Sequence, residues 1–254
     1  MPVAEQNTLR QCASLAFFLD VDGTLLAIAE TPDAVSPSAF VCTTLTDLAH
    51  LADGAVALVS GRPLAELDRL FAPHRFPAAG QHGGERRDAQ GRVTRANASV
   101  TALDEMRHLM QELADRDDQL ILEDKGLSVA LHYRRAPKLG QMLIARVRDA
   151  VDRHPDVVLQ LGKQVLEVRP ANISKTHAVR DFMQEPPFSG RVPVFIGDDL
   201  TDEDGFAMVN SLNGISIKVG PGRSIAQYRL ADPAAVLRWL VSCTAGAPEC
   251  LKAI

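Results

Sequence analysis

Little in this chain points to a membrane, a nucleic acid or an oxidising compartment. Its 254 residues include only four cysteines, Cys12, Cys42, Cys243 and Cys250, and their spacing matches no metal motif. A chain of this size needs no disulfide to fold, so the expectation is reduced thiols in a cytoplasmic protein. No apolar stretch approaches the roughly 18 residues of a membrane span. The stretch from Met1 to Gln11 lacks the charged-then-apolar order of a signal peptide. Positive charge is not in excess either: Lys and Arg number 27 against 32 Asp and Glu, a formal net charge of −5. That balance argues against nucleic acid or an anionic membrane as partner, and an anionic substrate would need a local basic pocket. Internal repeats and low-complexity tracts are also missing. The 46% of hydrophobic residues is enough for one large domain or two small ones, and the expectation is a monomer acting on a small molecule.

What the chain does have is a set of short apolar runs that end in charged or Gly-rich turns. Leu15–Leu19 breaks at Asp20-Val21-Asp22-Gly23-Thr24-Leu25, Val56–Val59 runs into Ser60-Gly61-Arg62, and Val194–Ile196 runs into Gly197-Asp198-Asp199. Each reads as a buried strand followed by a loop. Their carboxylates, hydroxyl and arginine thus stand at strand C-termini, where open α/β sheets bind ligands. Helical spacing lies between the runs: Phe40, Leu45, Leu48 and Leu51, then Leu64, Leu67 and Leu70 behind Pro63. Ala78 to Glu85, including Gly80-Gln81-His82-Gly83, is a Gly-rich return towards the same crevice.

The middle of the chain changes character. Leu103, Met106, Leu109, Met110 and Leu113 mark a helix with a cap near Thr101, and Leu139, Met142, Leu143, Val147 and Val151 mark another. Between and after them lie two hairpin patterns, around Lys125-Gly126 and Gly162-Lys163. The first pattern then returns, with Ser174 and Thr201 as helix caps, a strand at Ile215–Val219 and a closing helix from Ala234 to Val241. The expected architecture is α/β: a doubly wound Rossmann-like core, residues 1–91 plus 169–254, interrupted by an inserted α+β cap domain at 92–168.

Three strand ends rich in carboxylate suggest a magnesium and phosphate site. Asp20 can attack phosphorus, and Asp22, two residues on, can protonate a departing alkoxide if neighbouring carboxylates keep it protonated. Asp198 and Asp199 offer the hard oxygen ligands that magnesium takes. Lys175, beside a helix N-terminus, can neutralise phosphoryl oxygens, and Ser60 can donate a further hydrogen bond to them. Asp202 either orients the site or simply caps a helix. In the insert, Ser128, Ala130, His132 and Arg134 alternate with Val129, Leu131 and Tyr133. One strand face is therefore apolar, and the other suits either polyhydroxyl recognition or plain solvation. Glu167 is open to a surface pair with Arg169 or to a role in binding.

Taken together, Asp20 to Leu25, Ser60-Gly61-Arg62, Lys175 and Gly197 to Asp202 resemble the four motifs of the haloacid dehalogenase superfamily of phosphatases. Gly80 to Gly83, Glu123 to Gly126, Leu131 to Arg134, Glu167 to Pro170 and Thr201 to Asp204 are similar to the trehalose-6-phosphate phosphatase family. The resemblance covers roughly residues 15–240. It implies hydrolysis of trehalose 6-phosphate through an aspartyl phosphate, with Asp20 as nucleophile and Asp22 as acid and base. Mg2+ would be held by Asp20, the Asp22 carbonyl and Asp198. Ser60, Gly61 and Lys175 would meet phosphate and Arg62 and His82 the substrate, while Glu123, Lys125, His132, Arg134 and Glu167 would meet the sugar. Another capped sugar-phosphate phosphatase or phosphomutase, or a sugar-phosphate-binding regulator without catalysis, are the alternatives. One departure is Thr176, where the family usually has glycine after the motif lysine.

Overall fold

The computed structural model describes residues 12–28, 36–96 and 100–246; Met1 to Gln11 and Cys250 lie outside them. The described chain opens with β1 (Leu15–Leu19), α1 (Ala39–Leu51), β2 (Val56–Val59), α2 (Leu64–Leu70), β3 (Ala78–Gly80), β4 (Glu85–Arg87) and β5 (Val93–Arg95). It continues through α3 (Val100–Ala114), β6 (Ile121–Asp124), β7 (Val129–His132), α4 (Gly140–Val151), β8 (Val157–Gly162) and β9 (Val165–Pro170). It closes with α5 (Lys175–Met183), β10 (Val192–Gly197), α6 (Glu203–Ser211), β11 (Ile215–Val219), β12 (Tyr228–Leu230) and α7 (Pro233–Thr244). Two compact units result: Met1–Thr94 with Lys175–Ile254, and Arg95–Ser174.

The first unit is built on an eight-stranded sheet in the order β12-β11-β10-β1-β2-β3-β4-β5. From β12 to β3 the pairs are parallel, and β4 joins antiparallel. Parallel strands need both faces covered, which explains why β1 is apolar at every position rather than alternating. Phe17 and Phe18 show the consequence. Phe17 meets Trp239 of α7 edge-on at 6.4 Å, while Phe18 packs with Phe182 and Phe188 at 6.0 and 5.5 Å. Edge and offset ring pairs of this kind contribute about 0.5–1.5 kcal/mol each beyond burial. Because β1 pairs with β2 on one side and β10 on the other, the connection reverses direction at its C-terminal end. That switch point is where an open sheet leaves a crevice, and Asp20 is the first residue past it.

The second unit is a four-stranded antiparallel sheet, β6-β7-β9-β8, with α3 and α4 on one face. Leu103, Met106 and Met110 of α3 and Leu143 and Val147 of α4 pack on Val129, Leu131, Leu166 and Val168. The period of two sends Ala130 and Glu167, which pair across β7 and β9, to the opposite face. Glu123 and Gln160 extend that row on β6 and β8.

Several local expectations shift. Phe40 and Met142 are 57% and 51% exposed, since the buried stripes of their helices run through Val41, Leu45 and Leu48 and through Leu143 and Val147. Thr101 lies inside α3 rather than capping it. Asp199, not Thr201, caps the short 3₁₀ turn Leu200–Asp202 that leads into α6, because its carboxylate reaches the Leu200 amide at 2.7 Å. Cys12 and Cys42 are in no disulfide, and burial pushes the Cys12 thiol up to about 11. Cys243, in the last turn of α7, is disulfide-bonded, against the expectation of four reduced thiols. None of the described helices is long and apolar enough to cross a membrane.

Candidate active site

Asp20 is still in register with the sheet, its amide donating to Ile196 of β10 at 3.0 Å. Asp20 is 5% exposed, and its carboxylate accepts from the Lys175 ammonium at 2.7 Å. Lys175 begins α5 and bridges to Asp202 at 2.6 Å. The other Asp202 oxygen accepts from the Asp199 amide at 2.9 Å, so this fully buried carboxylate ties the lysine to the loop after β10. Asp198 completes the group: one oxygen each from Asp20, Asp198 and Asp202 lie within 4.8 Å of one another.

Two glycines make this crowding possible. A Cβ on Gly23, whose φ is +88°, would stand 2.2 Å from the Asp198 carboxylate. One on Gly197 would stand 2.3 Å from Asp202. Any side chain at either position would push a carboxylate out of the group.

Burial drives the Asp20 carboxyl well above its ordinary range; Lys175 opposes this, while Asp202 and Asp198 reinforce it. Burial works against the Lys175 ammonium, but Asp20 and Asp202 hold its pKa above the usual lysine value. Three gathered carboxylates with one lysine between two of them form a site that favours a cation. The donors are all carboxylate oxygens, with no histidine or cysteine in the group, which fits a hard octahedral divalent ion rather than zinc. Both oxygens of Asp202 already accept from protein donors, which leaves Asp20 and Asp198 as the carboxylates of the group that could hold such an ion. Asp199 is outside the group; its carboxylate caps the 3₁₀ turn.

Asp22 differs from its expected setting. Its partner is a cation, not another carboxylate: Arg62 donates through Nε and NH2 to both oxygens at 2.7 Å each. The fork-to-fork geometry orients Asp22, whose side chain is 36% exposed. Arg62 is held in turn by Glu66 at 3.3 Å. Ser60 is 1% exposed at the end of β2, and its hydroxyl accepts from the Arg62 amide at 3.1 Å. His82 lies against Gly61, where a Cβ would come within 2.8 Å of the imidazole. Gln81 and His82 both adopt left-handed backbone conformations, at φ of 47° and 57°. Such strain in bulky residues gathers at functional sites.

In the second unit, Glu167 is 6% exposed and accepts from Ser128 Oγ at 2.5 Å and Lys125 Nζ at 3.1 Å. Arg169 donates to Gln160 at 2.9 Å and to the Ile173 carbonyl. Glu123 and His132 meet at 2.8 Å, and that bond, with help from Lys125 and against burial, holds the Glu123 carboxyl below its ordinary value. Arg134 lies exposed just beyond β7. A cavity of about 430 Å³ between α3 and β6 is lined by Arg107, His108, Glu112, Asp115 and Asp124 and holds none of the expected site residues.

Within the first unit, then, Asp20, Lys175 and Asp198 come together, Asp22 pairs with Arg62, and His82 sits on Gly61 beside Ser60. Sequence reasoning placed Ser128 on the polar strand face without giving it a partner, passed over Lys218 and left Asp202 undecided. Lys218 reads as one polar residue in a strand, and only the fold reveals its neighbour. Thr176 turns away from the cation group; its hydroxyl donates to the Asp204 carbonyl at 3.0 Å and ties α5 to α6.

A family model described as trehalose-phosphatase matches residues 18–234. The trehalose-6-phosphate phosphatase of Escherichia coli strain K12 is 43% identical over 228 residues, 90% of this chain and 86% of that one. A probable trehalose-phosphate phosphatase of Sinorhizobium fredii is 45% identical over 207 residues, 81% and 78% of the respective chains. Among solved structures, the C-terminal domain of the C. albicans trehalose-6-phosphate phosphatase superposes with a TM-score of 0.83 at 24% identity, over 95% of this chain and 96% of that one. A haloacid dehalogenase-like hydrolase from B. subtilis shares the fold, with a TM-score of 0.64 at 15% identity over 90% and 99%.

Proposed function

This chain belongs to the trehalose-phosphatase family, and we propose that it is a magnesium-dependent enzyme that hydrolyses trehalose 6-phosphate to trehalose and inorganic phosphate. The observation that carries this reading is the buried Asp20–Lys175–Asp202 chain with Asp198 beside it, at the switch point of the sheet.

In this reaction a carboxylate oxygen of Asp20 attacks phosphorus, the bond between phosphorus and the sugar oxygen breaks, and Asp22, once its carboxyl has left Arg62 and taken up a proton from solvent, gives that proton to the departing alkoxide. Water then attacks the phosphoaspartate phosphorus. Asp22 accepts the proton of that water, phosphate leaves, and the Asp20 carboxylate is restored. Ser60, Lys175 and the amides at the start of α5 hold the phosphoryl oxygens. Asp20, Asp198 and the Asp22 carbonyl would hold magnesium, which would supply positive charge against the phosphoryl group. Asp202 keeps Lys175 aimed at Asp20, and Arg62 keeps Asp22 in one orientation until substrate arrives. The second unit supplies sugar recognition through Glu123, Lys125, His132, Arg134 and Glu167. These residues offer the paired donors and acceptors that sugar hydroxyls exchange with.

Phosphate release from trehalose 6-phosphate beside glucose 6-phosphate, with and without Mg2+, tests the reading. Strong release from the disaccharide only, abolished by chelation and restored by Mg2+, is the expected result. Equal turnover of both sugars points to a broader sugar-phosphate phosphatase. Recovery with Zn2+ but not Mg2+ contradicts the metal assignment, and no turnover at all leaves a binding protein.

A further inference from the structure

Lys218 lies in β11 opposite Gly197 of β10, one residue before the Asp198 corner of the cation group. It is 5% exposed, yet among the described residues its ammonium pairs with no carboxylate. Its Nζ donates instead to the backbone carbonyl of Asp198 and, at 3.2 Å, to that of Val219. A buried ammonium without a counter-ion is costly, and an apolar residue of similar length fills the same space without that cost. The bond to Asp198 is the contact that offsets it. That bond grips the main chain and leaves the carboxylate to face Asp20 and Asp202.

We propose that Lys218 is a positioning residue that anchors the Asp198 main chain and so fixes the third corner of the divalent-cation site. The inference rests on the functional reading given above. Two effects of the lysine oppose each other. Its charge repels a cation, whereas its hydrogen bond holds a ligand in place. Magnesium demands near-ideal octahedral geometry, so a displaced ligand outweighs the relief of a screened repulsion. The two effects predict opposite signs, which makes the choice between them measurable.

The test is calorimetric titration of the full chain with Mg2+ alone, in wild type, Lys218→Met and Lys218→Arg. Lys218→Met is expected to bind Mg2+ about tenfold more weakly or worse, the usual cost of losing a group that orients a metal ligand. Lys218→Arg, which keeps a charged donor, should recover most of that loss. In turnover assays the Mg2+ concentration for half-maximal rate should rise by more than the limiting rate falls. Should Lys218→Met not fold, Lys218→Gln, with its shorter polar end, is expected to show the same weakening. A folded Met or Gln variant that binds Mg2+ as well as or better than wild type overturns the proposal. Failure of the wild type itself to bind Mg2+ overturns the metal reading as well, so the two failures are distinct.

Discussion

The two units of this chain bury charge in opposite ways. In the first, Asp20, Asp198 and Asp202 gather with Lys175 bridging two of them, so acid is in surplus where the parallel strands end. In the second, each acid on the sheet face away from the helices has matched donors: Ser128 and Lys125 for Glu167, His132 for Glu123. A surplus of buried carboxylate raises the affinity for a cation and holds energy against that need. A matched set is satisfied on its own and is ready to exchange partners with a neutral, hydroxyl-rich ligand. The contrast follows from the sheets. Parallel strands deliver loop residues to one end, whereas an antiparallel sheet backed by helices on one side displays a row of side chains across its other face.

The sharpest way to break this contrast is Asp20→Asn. It removes one negative charge and the attacking oxygen with little change in shape. Turnover should fall by roughly a thousandfold or more while circular dichroism stays native. Substantial Mg2+-dependent phosphate release from this variant would show that Asp20 is not the nucleophile.

Asp22→Asn sharpens the comparison inside the first unit, because Asp22 has the Arg62 guanidinium on both of its oxygens, whereas Asp20 and Asp202 share Lys175. Trehalose 6-phosphate turnover should drop by about 10²–10⁴-fold, the usual contribution of a positioned acid. Nitrophenyl phosphate, whose leaving group needs no proton, should lose much less. Equal losses on the two substrates sink the acid role and leave Asp22 as a partner for Arg62.

Glu167→Ala moves the question to the second unit. Losing a charged hydrogen bond costs about 1.5–3 kcal/mol, or roughly ten- to a hundredfold in kcat/KM for the disaccharide phosphate. An aryl phosphate should be nearly unaffected. Because Lys125 and Ser128 lose their shared partner, Glu167→Gln serves as the control that keeps the fold. A uniform loss on both substrates in both variants means that Glu167 only supports the sheet.

The smallest effect concerns pH. His132 and Lys125 hold the folded Glu123 carboxyl below its ordinary value of 4.5. Its contribution to stability is therefore present above that value and fades as pH falls through the lower folded pKa. Thermal melts should show wild type ahead of Glu123→Gln at neutral pH, with the gap closing under acid conditions. A gap that is constant across pH rules out the ionised pair as its source.

Much of the fold was legible because its signals are local. Uninterrupted apolar runs such as Leu15–Leu19 announce strands covered on both faces, and the alternation around Val129 announces a sheet with an apolar face and a polar one. Where local signals failed, packing had the last word. Phe40 matches the helical spacing yet lies beside the buried stripe, and Thr201 resembles a cap yet yields to Asp199 two residues earlier. The site divides in the same way. Asp20, Asp198 and Lys175 were nominated by strand ends and a helix start, whereas the cation beside Asp22 and the pairing of Glu167 with Lys125 were not readable. Each of those contacts joins residues about 40 positions apart in the chain.

By itself the sequence determined the α/β class, the family and the chemical types at the strand ends, because periodicity and motif residues act over a few neighbours. Only the tertiary structure decided which carboxylates share the cation group, that Arg62 claims Asp22, and that Lys218 reaches the Asp198 main chain. Those outcomes depend on which strands lie side by side and on how closely glycine lets them approach. Such distances arise only when the whole sheet has closed around its core.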